Sequence, residues 1–167
     1  FIHVMKYNGQ ECINDWMSSN LDVMVHDMEI ADIDKDYVQE IVVLTTRYIY
    51  VFDGQTKMIE WKSDDLRSSL SQVELCSLAL FDINQDNTTD FIIGGNNKII
   101  VLDGKTKNPI AVIPVGPSEE WVKDVREVKS VKVANLDGEN VIIVGYNMVN
   151  SSRTPSHWEA RVAVIEY

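Results

Sequence analysis

Two stretches of this 167-residue chain set oxygen-bearing side chains at alternate positions, 50 residues apart. The first places Asp32, Asp34 and Asp36 at loop positions 1, 3 and 5, and Glu40 at position 9. The second places Asp82, Asn84, Asp86 and Asp90 at the same positions. Position 7 would add the main-chain carbonyls of Val38 and Thr88. A hard cation such as calcium takes about six to eight oxygens at roughly 2.3–2.6 Å, and a tight loop supplies them from alternate residues. Without a cation, carboxylates this close repel one another and raise a pKa. The same residue types have a second use: Asp and Asn stabilise turns by bonding their own backbone. The expectation is calcium at these ten residues, with turn capping as the alternative.

Other chemistry finds little support. His3, His26 and His157 stand apart, with no nucleophile at a telling spacing, and read as strand or connector residues. Gly94-Gly95 reads as a hairpin turn rather than a phosphate-binding loop. Cys12 and Cys76 lack the C-x-x-C spacing of a zinc site or redox pair and read as buried thiols, with one disulfide open in an oxidising compartment. Triplets for N-glycosylation begin at Asn87 and Asn150, and the second, in a polar stretch, is the better acceptor. The chain reads as a non-enzyme with no catalytic or cofactor-binding residues.

The elements around the acidic loops repeat with them. Met28–Ile33, Glu40–Thr45, Tyr48–Phe52 and Met58–Lys62 read as four short strands, the middle two apolar and β-branched. Leu78–Ile83, Asp90–Gly94, Lys98–Leu102 and Ile110–Val115 copy them, and Asp53-Gly54-Gln55-Thr56-Lys57 returns as Asp103-Gly104-Lys105-Thr106-Lys107. Asp-Gly in each marks a hairpin turn. A worn third copy runs through Val131–Leu136, Val141–Gly145 and Arg161–Tyr167, and its loop, Asn135 to Asn140, is too short and lacks a closing acid. Phe1–Tyr7 and Cys12–Trp16 match the last two strands of a unit, with Trp16 and Trp61 at equivalent ends.

Four-stranded sheets repeating every 50 residues or so are the signature of β-propeller blades. The fold is therefore all-β, a partial propeller. Residues 1–27 end one blade and connect it, 28–77 and 78–130 are blades, and 131–167 is an incomplete blade. A closed ring needs about 4 to 8 blades, so further blades come from the same or another chain. Leu66, Leu70 and Val73 are spaced for a turn-rich helical face, and Pro117–Ser130 reads as a short helix through Val122, Val125 and Val128. Strand order puts three insertions, Asp64–Leu75, Pro117–Ser130 and Asn147–His157, on the rim opposite the acidic loops. Trp121 and Trp158 are candidate contact anchors there.

The net charge of −11 argues against a nucleic acid or an anionic membrane as partner. No apolar stretch approaches the roughly 18 residues of a membrane span. With Phe1 first and no leader, the sequence reads as a mature product or a piece of a longer chain.

The loops resemble FG-GAP and VCBS-type propeller repeats, including those of integrin α-subunit heads. Their pattern, D-x-[DN]-x-[DN]-G-x-x-[DE], lies between the first and second strands of a blade. Both loops depart at position 6, where Tyr37 and Asn87 replace Gly. Asn tolerates a left-handed backbone better than Tyr, which favours the Asp82 loop for calcium. The third-to-fourth-strand turns are similar to the D-x-x-T-G repeats of pyrroloquinoline-quinone dehydrogenases, with Lys57 and Lys107 in place of Gly, a similarity of blade packing that implies no cofactor. The resemblance implies a calcium-stabilised adhesion or recognition module at a cell surface, binding protein or glycan. Leu75-Cys76-Ser77-Leu78-Ala79-Leu80-Phe81-Asp82 also looks similar to Bardet-Biedl-type coat subunits, which implies a cytoplasmic scaffold with vestigial metal loops. A quinoprotein or polysaccharide lyase is the remaining, weakest alternative.

Overall fold

The computed structural model describes residues 1–21, 23–69, 75–115, 124–150 and 157–166. Its strands form four successive antiparallel sheets. β1 (His3–Tyr7) and β2 (Cys12–Met17) pair as a half-blade. β3 (Val25–Ala31), β4 (Glu40–Thr45), β5 (Ile49–Phe52) and β6 (Ile59–Lys62) follow in simple order as the first full blade. A four-residue helix, α1 (Leu66–Ser69), leads toward β7 (Leu75–Phe81), β8 (Asp90–Gly95), β9 (Lys98–Leu102) and β10 (Pro109–Pro114), the second blade. β11 (Asp124–Leu136), β12 (Glu139–Asn150) and β13 (His157–Glu166) make a three-stranded third blade. The architecture is a partial β-propeller.

The continuous apolar runs of β4 and β8 exist because each sheet is covered on both faces. Val42 and Leu44 of β4 meet Phe91 and Ile93 of β8 between the first two blades. Val43, with Tyr50 and Phe52, faces the other way, onto Ile2, Leu21 and Trp16 of the N-terminal segment. Ile92 of β8 likewise turns to Val131, Ile142 and Val144 of the third blade. Burying one such side chain contributes about 1.5–3 kcal/mol, so this stacking dominates the stability of the array. The expected equivalence of the tryptophans holds: each reaches from the last strand of its unit to a phenylalanine of the next blade. Trp16 meets Phe52 edge-on at 5.6 Å, and Trp61 meets Phe91 at 5.5 Å.

Several boundaries differ from expectation. β3 and β7 begin three residues earlier than read and end at Ala31 and Phe81, so Ile33 and Ile83 lie in loops, though buried. Gly94-Gly95 is no turn; both residues belong to β8, and the chain reverses at Asn96-Asn97, with Asn97 at φ 53°. Gly94 is required by close approach. A Cβ there would stand 2.5 Å from Ser77 Oγ and 2.6 Å from Val128 Cγ1.

The helix expected within Pro117–Ser130 is corrected from Asp124 onward, where the chain is strand β11. Bulges between Val125 and Glu127, and between Val128 and Ser130, explain the misleading spacing. An inserted residue lets side chains three apart share one face of a strand. Val128 and Val131 are both buried against the second blade in this way. Part of the polar excursion at Asn147–His157 also lies in the sheet, since Asn150 pairs with His157. The rest of these insertions, with Leu70, Val73 and Trp121, lies outside the described residues, as does the side chain of Trp158. The cysteines are not the buried thiols expected: Cys12 is exposed and Cys76 half-buried, and no disulfide joins them.

Candidate functional site at the acidic rim

The two acidic loops share four hydrogen bonds position for position, and differ in that Asp86 N–H also donates to Asp82 Oδ1 at 3.0 Å, whereas Asp32 Oδ1 has no such partner. Tyr37 N–H donates to Asp32 Oδ2 at 3.1 Å, and Asn87 N–H to Asp82 Oδ2 at 2.9 Å. Asp36 N–H donates to Asp34 Oδ1 at 3.1 Å, and Asp86 N–H to Asn84 Oδ1 at 3.0 Å. Val38 N–H donates to Asp36 Oδ1 at 2.7 Å, and Thr88 N–H to Asp86 Oδ1 at 2.8 Å. Each loop closes when its ninth residue accepts from the second: Ile33 N–H donates to Glu40 Oε2 at 2.7 Å, Ile83 N–H to Asp90 Oδ2 at 3.1 Å. Both loops therefore use their acids as turn caps.

The left-handed backbone at position 6 is present in both loops, at φ 71° for Tyr37 and φ 71° for Asn87. Position 4 is left-handed as well, at φ 66° for Lys35 and φ 60° for Gln85. Tyr at position 6 thus leaves the loop geometry intact, and no difference in backbone geometry favours the Asp82 loop. The third loop is a tight hairpin, with Asp137 at φ 53° and Gly138 at φ 94°. Asn135 Nδ2 donates across it to Asn140 Oδ1 at 2.9 Å.

The side chains of the two loops converge differently. Asp32, Asp34 and Glu40 bring one carboxylate oxygen each to within 4.8 Å of one another, the one group of three such ligands among the described residues. Asp36 lies outside this group and directs its carboxylate to Val38 N–H. Asp32 Oδ1 is buried without a hydrogen-bond partner. In the second loop Asn84 stands in the place of Asp34 and donates to Asp103 Oδ2 at 3.4 Å. The closing acids, Glu40 and Asp90, are buried, and burial pushes both carboxyl groups above their ordinary range. Backbone N–H donation opposes this shift in each, and the neighbouring carboxylates add to it.

Turns from the far side of each blade complete the rim. Gly54 and Gly104 carry no left-handed backbone, so the expected Asp-Gly hairpin chemistry is not their reason. A Cβ on Gly54 would meet Gln39 O at 1.7 Å, and one on Gly104 would meet Thr89 O at 2.0 Å. Gly104 N–H also donates to Asp90 Oδ1 at 2.7 Å. The left-handed residues of these turns are Lys57 and Lys107, each at φ 63°. Each ammonium reaches back to the glycine carbonyl of its own turn. Lys107 also lies 5.2 Å from the centre of the Trp61 ring and 4.8 Å from that of Phe91. Burial lowers its pKa, while Asp103, Asp34 and Asp90 act to raise it.

Neighbouring loops are tied together by two residues that the motif search missed. Lys35 Nζ donates to Asn87 Oδ1 at 2.8 Å, and Asn140 Nδ2 donates to Ile83 O at 3.2 Å. Asn140 had a signal, since it falls 50 residues after Asp90 as Asp90 does after Glu40. Lys35 had none, because its role depends on the position of the next blade.

The described geometry brings no nucleophile and base together. Chemically, the rim can cap turns and, at the Asp32 loop, offer hard oxygens to a divalent cation. No protein-family model matches the sequence, and no curated protein matches it by sequence similarity. Among solved structures, it is similar to the crystal structure of Saccharomyces cerevisiae Sqt1, with a TM-score of 0.64 at 14% identity. The match covers 98% of this chain and 45% of Sqt1, so the chain spans less than half the length of that protein. At this identity the likeness is one of fold, and it agrees with the propeller architecture.

Proposed function

We propose that the chain is a non-catalytic recognition scaffold, a stretch of β-propeller that further blades complete, engaging a protein partner on the rim opposite its acidic loops. The observation that carries this reading is the internal use of the acidic rim. Its acids accept from their own backbones, and Lys35 and Asn140 fasten each loop to its neighbour. That rim works as a clasp between blades. The opposite rim presents the turns and inter-blade connectors, where loops on a rigid scaffold commonly carry binding.

Two observations support a scaffold within a larger assembly over a cell-surface adhesion module. Cys12 is exposed with no bridge to Cys76, which fits a reducing compartment. β13 ends its sheet with only β12 beside it among the described residues, and Val162 and Val164 are 73% and 59% exposed. A further strand and blade would cover both that edge and that face.

The loops are read as FG-GAP-type, and the Asp32 loop favours a calcium role within this scaffold. Its three converging carboxylates and the unpartnered Asp32 Oδ1 suit a hard divalent ion. Asp32, Asp34 and Glu40 would hold it, and the ion would offset their mutual repulsion and stiffen the rim. The Asp82 loop, with Asn84 bonded to Asp103, depends less on a cation.

The test of the recognition reading is cross-linking of the full-length protein within its native assembly. Cross-links from residues 19–23, 45–48 and 61–65 to another subunit are expected. Cross-links restricted to 32–40 and 82–90 would reverse the assignment of the rims.

A further inference from the structure

On the rim opposite the acidic loops, the connector before β3, the β4–β5 turn and the end of β6 enclose a cleft of about 430 Å3. Ligand sites usually span about 300–1,000 Å3, so a short side chain or two would fill it. Its walls include Leu21, Arg47, Tyr48, Tyr50, Ile59 and Lys62, and its described lining residues contain no carboxylate. In a chain with 26 acidic and 15 basic residues, this lining carries two cations, of which Arg47 is paired with Asp65 beside the cleft and Lys62, among the described residues, is not.

The cations are differently held. Asp65 accepts from Arg47 Nε at 3.0 Å and from one terminal nitrogen, which fixes the guanidinium beside Tyr48. Its remaining donors are left for a ligand. Lys62 Nζ lies 4.0 Å from the centre of the Tyr48 ring and 5.1 Å from that of Tyr50. No described carboxylate pairs with it. The walls themselves are fastened: Thr46 N–H donates to Met24 O at 2.9 Å, and Leu66 N–H to Arg47 O at 2.8 Å.

We propose that this cleft is a binding site for a short acidic peptide segment of a protein partner, one carboxylate facing Lys62 and Arg47 and an adjacent apolar side chain lying against Tyr48 and Leu21. The proposal rests on the recognition reading above and gives it a ligand class. An ammonium already held over aromatic rings is pre-placed, so it meets a carboxylate at little ordering cost. A net charge of −11 disfavours any polyanion, such as a nucleic acid. It weighs less on one or two carboxylates, because charges beyond about 8 Å are screened at physiological salt.

The probe is a rhodamine-labelled Gly-Leu-Glu-Glu-Gly peptide titrated by anisotropy into the full-length protein, up to about 1 mM. Saturable binding is expected, weakening with added salt. Lys62→Glu should weaken it at least about tenfold and Lys62→Gln by less, whereas Lys105→Glu, on the acidic rim, should leave it unchanged. Absence of binding, or equal loss in the Lys62 and Lys105 variants, would overturn the proposal. Cross-links from residues 19–23, 45–48 and 61–65 in the native assembly, with no peptide binding, would retire the acidic ligand and leave the recognition reading standing. Cross-links on the acidic rim alone would overturn both.

Discussion

The Lys35 ammonium donates a 2.8 Å hydrogen bond to Asn87 Oδ1, joining position 4 of one acidic loop to position 6 of the next. One blade on, Asn140 makes the corresponding tie to Ile83 O, but from a buried position. The difference in burial decides what each tie contributes. An exposed lysine exchanges its partner for water at little cost, whereas a buried amide leaves a carbonyl stranded when removed.

Lys35→Ala is therefore expected to change unfolding free energy by about 0.5 kcal/mol or less. Asn140→Ala should cost about 1–3 kcal/mol, since Ile83 O loses that partner. Urea denaturation of both variants checks the contrast, and equal costs would mean that the Asn140 site admits water.

Gly104→Ala should destabilise by about 1–3 kcal/mol or more, because the new Cβ lands on the Thr89 carbonyl rather than on a flexible side chain. Gly145→Ala is the control. Its Cβ would approach no atom closer than 3.8 Å. Its expected effect is within about 0.5 kcal/mol. Similar denaturation midpoints for the two would contradict the packing argument.

How much of this was legible in the sequence depended on whether a residue's role is set by its near neighbours in the chain. The strand sets, the blade repeat and the positions of Asp32 to Glu40 and Asp82 to Asp90 follow from local pattern, and β4 and β9 occupy the expected residues. Gly54, Gly94 and Gly104 read as turn formers because glycine is permissive. Their actual constraint is a neighbouring strand or loop, which local spacing does not show. Val125 and Val128 read as helical because bulges in β11 break the two-residue period of a strand. The alternation of oxygen-bearing side chains was visible in the residues, but the convergence of Asp32, Asp34 and Glu40 without Asp36 was not, and the residue at position 6 pointed instead to the Asp82 loop. The indifference of the loop to Tyr37 was not visible either, since it depends on a backbone held from several sides.

Asp53 provides a pH test away from the acidic loops. Thr56, through its hydroxyl and N–H, and Gln55 N–H hold the Asp53 carboxyl below its ordinary value of 3.8. A carboxyl depressed on folding adds stability above its unfolded pKa, and loses it as pH falls through the folded one. Asp53→Asn should therefore lower the melting temperature at neutral pH, with the gap from wild type closing below about pH 4. A gap that persists into that range would mean that the charge is not what the turn uses.

Calcium should raise the melting temperature, by mass action on the folded state. At about 100-fold excess over Kd the gain is about 2.7 kcal/mol. Asp34→Ala is expected to remove more of the shift than Asn84→Ala, because Asp34 belongs to the converging group and Asn84 bonds to Asp103. Identical melting in chelator and in calcium would leave the acids as turn caps alone.

The central claim is that the acidic rim clasps the blades while the opposite rim engages a protein. Hydrogen–deuterium exchange of the full-length protein, alone and in its native assembly, tests it most directly. The predicted result is new protection across residues 19–21, 45–48 and 61–65, with 32–40 and 82–90 unchanged. Protection confined to 32–40 and 82–90 would contradict the account.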